Sequence, residues 1–565
     1  MQNIKTIIRA AIFLLVPAAG LAQTQYLQPG SKEAQLLQRL EIRSGNPDLM
    51  FSGTRPMPRR QTVYAVEAVD STAKAAAANY EQGIPLTAID RYNMDRFLMD
   101  NNDWAKPRPS FSSGYTNPLH LYQNKSHFYE VNQKDFYLAV NPILQVTAGK
   151  EKGNGNMLFL NTRGISLRGM ISRKIGFNVA ISDNQERTPL YVQRFIKQYE
   201  AVPGQGFYKL DDKGTVDYFY VNGNVSWNVA KYIDMQFGYD KNFIGDGYRS
   251  LLLSDFSNNT LFLKLNTRIW KFNYEVLFME LYPKFERFTS ADTTYSRKYA
   301  RMSYLTINAA KWLNVGLFEG VMFGRENHFD FAYLNPVIFL RPMEQHTGSG
   351  DNAVVGLTAK ANIKKRVQLY GQLLFDEFKL SELTGGRNWW ANKYGYQLGL
   401  KYIDAFGLKN VDIQLEDNRV RPFTYSHNNP VAAYTHYNQP FAHPLGASFQ
   451  EYIGLVKAQP AKKLYLQGKA IYYYQGLDSA GVNMGGNPFE NYLTRPREYG
   501  FQVGEGNKAT CLLLNAVASY ELFEQFFLEG SFSIRNYKTQ SGFKENTQFF
   551  SVGFRWNMAR RDFDF

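Results

Sequence analysis

The chain has 565 residues, 64 of them Lys or Arg against 50 Asp or Glu, with a formal net charge of +14, 38 Tyr, 42 Phe and a single cysteine. Mean hydropathy is −0.39 and no stretch beyond the N-terminus reaches about 18 consecutive apolar residues, which excludes helical membrane spans; one cysteine excludes a disulfide framework. The basic residues are scattered, many of them at turns, so the charge fits phosphate-bearing lipid headgroups, lipopolysaccharide and anionic glycans better than nucleic acid.

Residues 1–22 read as a secretory signal peptide. Lys5 and Arg9 form its basic end, residues 10–21 its apolar stretch, and Gly20, Leu21 and Ala22 a cleavage site before Gln23. No cysteine follows that point, so a lipoprotein anchor is not expected. Residues 23–130 form a partly helical region expected in the periplasm, either docking a periplasmic or motility partner or forming a loosely packed leader with no function of its own. Ser31 can cap a helix through Leu40 with Leu36, Leu37 and Leu40 as its apolar stripe. Residues 51–60, rich in Pro and basic side chains, read as extended. Residues 85–104 give a second helix with Ile89, Met94, Phe97 and Leu98 near one face.

From residue 131 to 565 the period changes to two. Val221, Gly223, Val225 and Trp227 alternate with Asn222, Asn224, Ser226 and Asn228; after a turn at Lys231, Ile233, Met235, Phe237 and Tyr239 alternate with Asp234, Gln236, Gly238 and Asp240. Each strand has one apolar and one polar face, and no helices or second sheet follow to cover the apolar one. Turns of the same kind recur at Arg173-Lys174, Lys231, Lys271, Lys311, Lys364-Lys365-Arg366, Lys409 and Lys462-Lys463, with Phe523-Glu524-Gln525 as an eighth that lacks the basic residue. The intervals hold two strands and one long polar loop, which predicts an all-β, up-and-down transmembrane antiparallel barrel of about 18 strands with short periplasmic turns and long outer loops. Propeller blades would repeat sequence signatures and need short loops on both faces. The last strand carries Phe550, Val552, Phe554 and Trp556 on one face, and the chain ends in Phe565; residues 560–564 are expected to be a short periplasmic extension.

Catalytic constellations are not apparent. Seven histidines occur without an HExxH motif or a cysteine cluster, no G-x-S-x-G element is present, and no cofactor motif is found. The pairs Asp376-Glu377 and Glu416-Asp417 are strand neighbours that point to opposite faces. Gly245-Asp246-Gly247 lacks the lysine and helix of a phosphate loop and reads as a rim turn. His427, His436 and His443 share one loop with Tyr425, Tyr434 and Tyr437, read as solvated loop residues in preference to a metal or sugar site. Cys511 reads as a small apolar strand residue. Arg163, Arg168, Lys264, Arg268 and Lys360 are candidates for the lumen. The outer loops combine flat rings with forked cations: Tyr248 and Arg249, Arg325 and His328, Arg341, and Arg387, Trp389 and Trp390. These suit sugar faces and carboxylate or phosphate substituents, which makes an acidic exopolysaccharide or capsule the expected ligand; an outer aromatic girdle is the other reading of the two tryptophans.

Three stretches, GYDKNFIGDGYRSLLLSDFSNNTLFLKL at residues 238–265, FDFAYLNPVIFLRP at 329–342 and GSGDNAVVGL at 348–357, resemble the Wzi-type capsule-assembly barrels, in particular the RemB-like branch associated with gliding motility in Bacteroidetes-type bacteria. The resemblance extends from about residue 135 to the C-terminus. It implies an outer-membrane barrel that binds capsular or extracellular polysaccharide, retains it at the cell surface and supports capsule assembly or gliding; its motifs say nothing of catalysis. A substrate-selective porin and an outer-membrane hydrolase are the alternatives; the first needs an open lumen, the second a Ser, a His and an acid meeting at the rim.

Overall fold

The structure, a computed structural model, describes residues 27, 31–79, 83–114, 118–283, 295–325, 328–335, 348, 350–479 and 481–565. The expected signal peptide lies outside them. Eighteen strands among these residues close into a barrel. In chain order they are β1 (Phe136–Glu151), β2 (Met157–Ile171), β3 (Ile175–Arg187), β4 (Thr215–Ala230), β5 (Ile233–Asp240), β6 (Thr260–Ile269), β7 (Phe272–Leu281), β8 (Lys298–Ala310) and β9 (Leu313–Phe323), then β10 (Asn352–Ile363), β11 (Val367–Glu377), β12 (Lys393–Tyr402), β13 (Val411–Val420), β14 (Phe449–Ala461), β15 (Leu464–Leu477), β16 (Asn507–Phe523), β17 (Phe526–Thr539) and β18 (Lys544–Trp556). Each pairs antiparallel with its neighbours, and β18 closes on β1 with Phe550 opposite Lys150 and Phe554 opposite Val146.

The burial pattern is inverted relative to a soluble sheet. Gln236 is 1% exposed while its neighbour Phe237 is 50% exposed, and Phe550 is 53% exposed. Polar side chains face inward and apolar ones outward, an arrangement stable only when hydrocarbon covers the outside and every strand edge is paired. The protein is an outer-membrane barrel. All eight expected turns lie at one end. Ser172 and Arg173 both take φ 51°, and Lys364 and Lys365 take 49° and 54°, so the β2–β3 and β10–β11 turns have the two left-handed central residues that match the twist of the flanking strands. At the other end the connections at residues 152–156 and 540–543 are short, and the remaining seven are long.

Three helices close the short-turn end: α1 (Lys32–Ser44), α2 (Arg59–Ala78) and α3 (Ala88–Asp100). Ser31 Oγ accepts from Ala34 N and Gly45 ends α1 at φ 65°, a left-handed stop that favours glycine. Thr87 and Asp90 form a capping box on α3, satisfying its first orphan N–H groups. The helix α2 was not expected; Val63, Val66, Val69, Ala73 and Ala76 are buried at three- and four-residue spacing, and the three valines of this stripe pack with Leu37, Leu40 and Phe97 in one core. The plug is tied to the turns by charge. Arg39 meets Asp404 and Asp412, both at 2.5 Å, Lys32 meets Glu521 at 2.6 Å and Glu524 at 2.5 Å, and Arg268 meets Asp48 at 2.7 Å.

Residues 560–564, expected as a short periplasmic extension, do not extend into the periplasm. Asn557 is anchored beside the β16–β17 turn, its N–H donating to Gln525 O at 3.2 Å. From there the tail climbs the lumen to the outer loops, where Phe565 stacks 4.7 Å from Phe195 and 5.7 Å from Phe256. Nine extended residues reach about 30 Å, enough for that climb.

Candidate functional site

The barrel wall is uneven, with 17 residues in β16 and 8 in β5. Over the low rim at β5 the segment 241–259 drops into the lumen. Its residues Phe243 and Ile244 pair with Arg55 and Thr54 of the plug, and Gly245 N donates to Gly53 O at 2.7 Å. Leu251, Leu252 and Leu253 are buried against the wall and the β13–β14 loop. That loop locks them in place: Tyr425 Oη donates to Leu251 O at 2.7 Å and Tyr434 Oη to Leu252 O at 2.5 Å.

Tyr248 and Arg249, expected on an outer loop, are therefore inside the barrel. Their backbone N–H groups donate to the two carboxylate oxygens of Glu416 at 2.7 and 3.0 Å. The Arg249 guanidinium contacts Glu451 at 3.3 Å and Asp564 of the tail at 3.0 Å. Lys469 of β15 donates to Asp562 and Asp564, both at 2.7 Å, and to Tyr248 Oη at 3.0 Å. Tyr248 Oη in turn donates to Asp564. Beside this cluster the lumen keeps a cavity of about 780 Å³, reaching the plug, the tail and the inner faces of β1 to β5.

The histidine and tyrosine loop is likewise not solvated. His436 and His443 are fully buried. His443 pairs with Glu451 at 2.7 Å through Nε2 and accepts from Leu445 N through Nδ1; His436 accepts from Tyr282 N and reaches Asn259 O. Both ring nitrogens of each are engaged by groups other than a serine hydroxyl. Among the described residues, no three His, Cys, Asp or Glu side chains are grouped as metal ligands.

Arg168, Lys264 and Lys360 face inward as expected, Lys360 reaching Glu41 at 2.9 Å and Asp246 at 2.8 Å. Arg268 sits at the plug. Arg163 is on the outer face opposite Asp183, since it lies five residues from Arg168 and parity puts the two on opposite sides.

The other expected binding residues lie on the outer loops. Arg387, Trp389 and Trp390 belong to the β11–β12 connection and meet the β15–β16 loop. Trp390 is 8% exposed, its ring 4.9 Å from Tyr492 and 6.0 Å from Phe423, with the Arg495 guanidinium 3.9 Å above it. It is the core of a loop cluster and not a girdle residue. Trp389 is half-buried at the edge, and Arg387 is exposed, stacked 4.4 Å from Tyr499. Arg325 is spent on its own loop, gripping Asp351 at 2.6 and 2.7 Å and Asp330 at 3.2 Å. His328 is exposed next to it. Arg341 lies outside the described residues.

No family model and no curated protein matches the sequence. The fold is similar to that of Wzi of Escherichia coli, described as an outer membrane protein involved in group 1 capsule assembly and a carbohydrate-binding β-barrel: 12% identity, 96% of this chain and 100% of that one covered, TM-score 0.55. Two Pseudomonas aeruginosa barrels align less fully, OprD at 9% identity, 74% and 94% coverage and TM-score 0.41, and OccK8 at 8%, 74% and 98%, and 0.41. Identities of this size show a shared fold.

Proposed function

We propose that the chain binds acidic capsular or extracellular polysaccharide at the cell surface and anchors it there, in support of capsule assembly or gliding motility. The observation that carries this reading is the filling of the lumen by three folded elements, the helical plug, the inward segment and the C-terminal tail, while an aromatic and cationic surface is presented outside by Arg387, Trp389 and Tyr499. A barrel so filled is better suited to holding a ligand on its loops than to passing one, and Wzi, whose fold it shares, is described as binding carbohydrate. The loop cluster offers ring faces for sugars, and Arg387, exposed although paired through one nitrogen with Glu382 at 2.7 Å, offers its remaining N–H groups to uronate or phosphate. His328 adds a polar edge on the neighbouring loop. The helical plug then faces the periplasm, where it is available to an assembly or motility partner.

The test is binding of purified protein to acidic exopolysaccharide from an encapsulated host, with Arg387 and Trp389 changed to Ala together. Each exposed cation or ring contact is worth about 0.5–1 kcal/mol, so the double variant is expected to bind about tenfold more weakly. Unchanged binding would remove this loop surface as the site. Unchanged surface glycan after deletion of the gene would remove the anchoring role itself.

A further inference from the structure

We propose that Tyr248, Arg249 and Lys469 form a carboxylate-binding site for a short acidic saccharide inside the barrel, and that Asp564 of the chain's own tail occupies it as a tethered stand-in. This rests on the reading of the ligand as an acidic glycan and adds a second site remote from the outer loops.

The cradle is built without the tail. Glu416 fixes the backbone of Tyr248 and Arg249, Gln397 Nε2 donates to Arg249 O at 3.0 Å, and Glu451, itself held by His443, orients the guanidinium. Lys469 projects from the wall with its side chain 1% exposed. Its carboxylate partners, Asp562 and Asp564, both belong to the tail. Withdrawal of the tail would leave the Lys469 ammonium without either of its carboxylate partners and Arg249 with Glu451 alone, an excess of positive charge that an entering anion would neutralise. The site therefore selects for a carboxylate held between two cations and a phenol.

The surroundings extend the match from a bare anion to a sugar acid. The adjoining cavity of about 780 Å³ is of the size that takes small organic ligands. Its wall on β1, β3 and β4 presents Gln145, Asn178, Asn222 and Asn224, whose amide oxygens no other protein group satisfies. Such oxygens accept from hydroxyls. Outside the cluster the tail is held by Arg561 on Glu186 at 2.8 Å and by Tyr191 Oη donating to Phe563 O at 2.5 Å, and beyond Asp564 by Arg535 Nε donating to Phe565 O at 3.3 Å and by ring packing on Phe195. A tethered competitor lowers the apparent affinity for an outside ligand by the fraction of time it vacates the site.

The experiment is calorimetric titration of the full-length protein with a galacturonic acid trisaccharide and with its neutral galactose counterpart. Asp564→Asn keeps the shape of the tail and removes its charge; a chain ending at Asn557 removes the tail; Phe565→Ala loosens its outer anchor and leaves every charge in place. Each is expected to bind the acidic trisaccharide at least tenfold more tightly than the unsubstituted protein, with no gain for the neutral one and loss of the gain when Lys469→Met is added. Variants that migrate as folded, heat-modifiable barrels yet bind no more tightly overturn the proposal. Polysaccharide binding through Arg387 and Trp389 is read in a separate assay, so failure of either site leaves the other standing.

Discussion

Asp404 sits in the turn between β12 and β13, where two arginines of the plug converge. Arg39 reaches it at 2.5 Å, Arg43 shares its other oxygen, and Asn410 N donates to it at 2.8 Å. Burial alone would raise its pKa, but the hydrogen bond and charge of Arg39 hold it below the usual carboxylate range. A folded-state pKa below the unfolded value of about 3.9 gives stability that is full above that pH and lost as pH falls through the depressed value. The plug should thus stay latched at neutral and mildly acid pH and loosen only in stronger acid. Asp404→Asn leaves two buried cations with one partner fewer, and since Asp90 and Asp412 still face Arg39, a cost of about 3 kcal/mol, at the low end for a broken buried pair, is expected. Limited trypsin digestion in detergent is the check: helices α1 to α3 should be cleaved faster at neutral pH while the barrel keeps its heat-modifiable mobility. Equal cleavage rates would show that the latch lies elsewhere.

The element that most separates this barrel from a simple pore is the inward segment, 241–259. Glycine at position 247 is required by close approach: a Cβ there would lie 2.6 Å from Gln397 Oε1, 2.6 Å from Glu416 Oε2 and 2.7 Å from Arg249 O. Two of these atoms belong to a buried network and the third is backbone, so nothing can give way cheaply. Gly247→Val is expected to unseat the segment, with a heat-induced mobility shift at lower temperature and new proteolytic sites in residues 241–259. A variant as resistant as the unsubstituted protein would show that the segment is not held at this point. The strands and all eight turns were legible in the sequence because alternation and turn chemistry are local. The direction of a loop is not local, and segment 241–259 reads as polar apart from one clue: Leu251, Leu252 and Leu253 in succession, each worth about 1.5–3 kcal/mol when buried, are a poor fit to a solvated loop. The tail gave less warning, because its two Arg and two Asp read as surface charge until Lys469 and Arg249, distant in sequence, are brought beside them. The parity of Arg163 and Arg168 was available from spacing alone. The helical stripe of α2 was present too, but adjoins a Pro-rich stretch that reads as extended.

At the scale of the whole molecule, three independent chain segments enter one lumen from different directions and are pinned to the wall and to one another. The plug enters at the short-turn end and meets the inward segment through Thr54 and Arg55; the inward segment lies under Tyr425 and Tyr434 of the β13–β14 loop; the tail passes beside both, with Arg561 bound to Glu186 at 2.8 Å on the wall. Three segments enter the lumen where one would narrow it, which distinguishes this design from a pore narrowed by a single loop. The unsubstituted protein in a planar bilayer is accordingly expected to carry little steady current. Removing residues 31–104 should increase it, because Arg39, Lys32 and Glu41 then leave Asp404, Glu521 and Lys360 to water at the periplasmic mouth. The increase should stay partial, since the inward segment and the tail still cross the lumen, and it should grow when Gly247→Val or truncation at Asn557 is added. A large steady conductance from the intact chain would instead favour transport, and would mean that the ion pairs lining the plug open readily in the membrane. High salt separates these cases: screening weakens exposed pairs strongly and buried ones little, so the current of the intact chain should scale with bulk conductivity and show no abrupt opening as salt is raised.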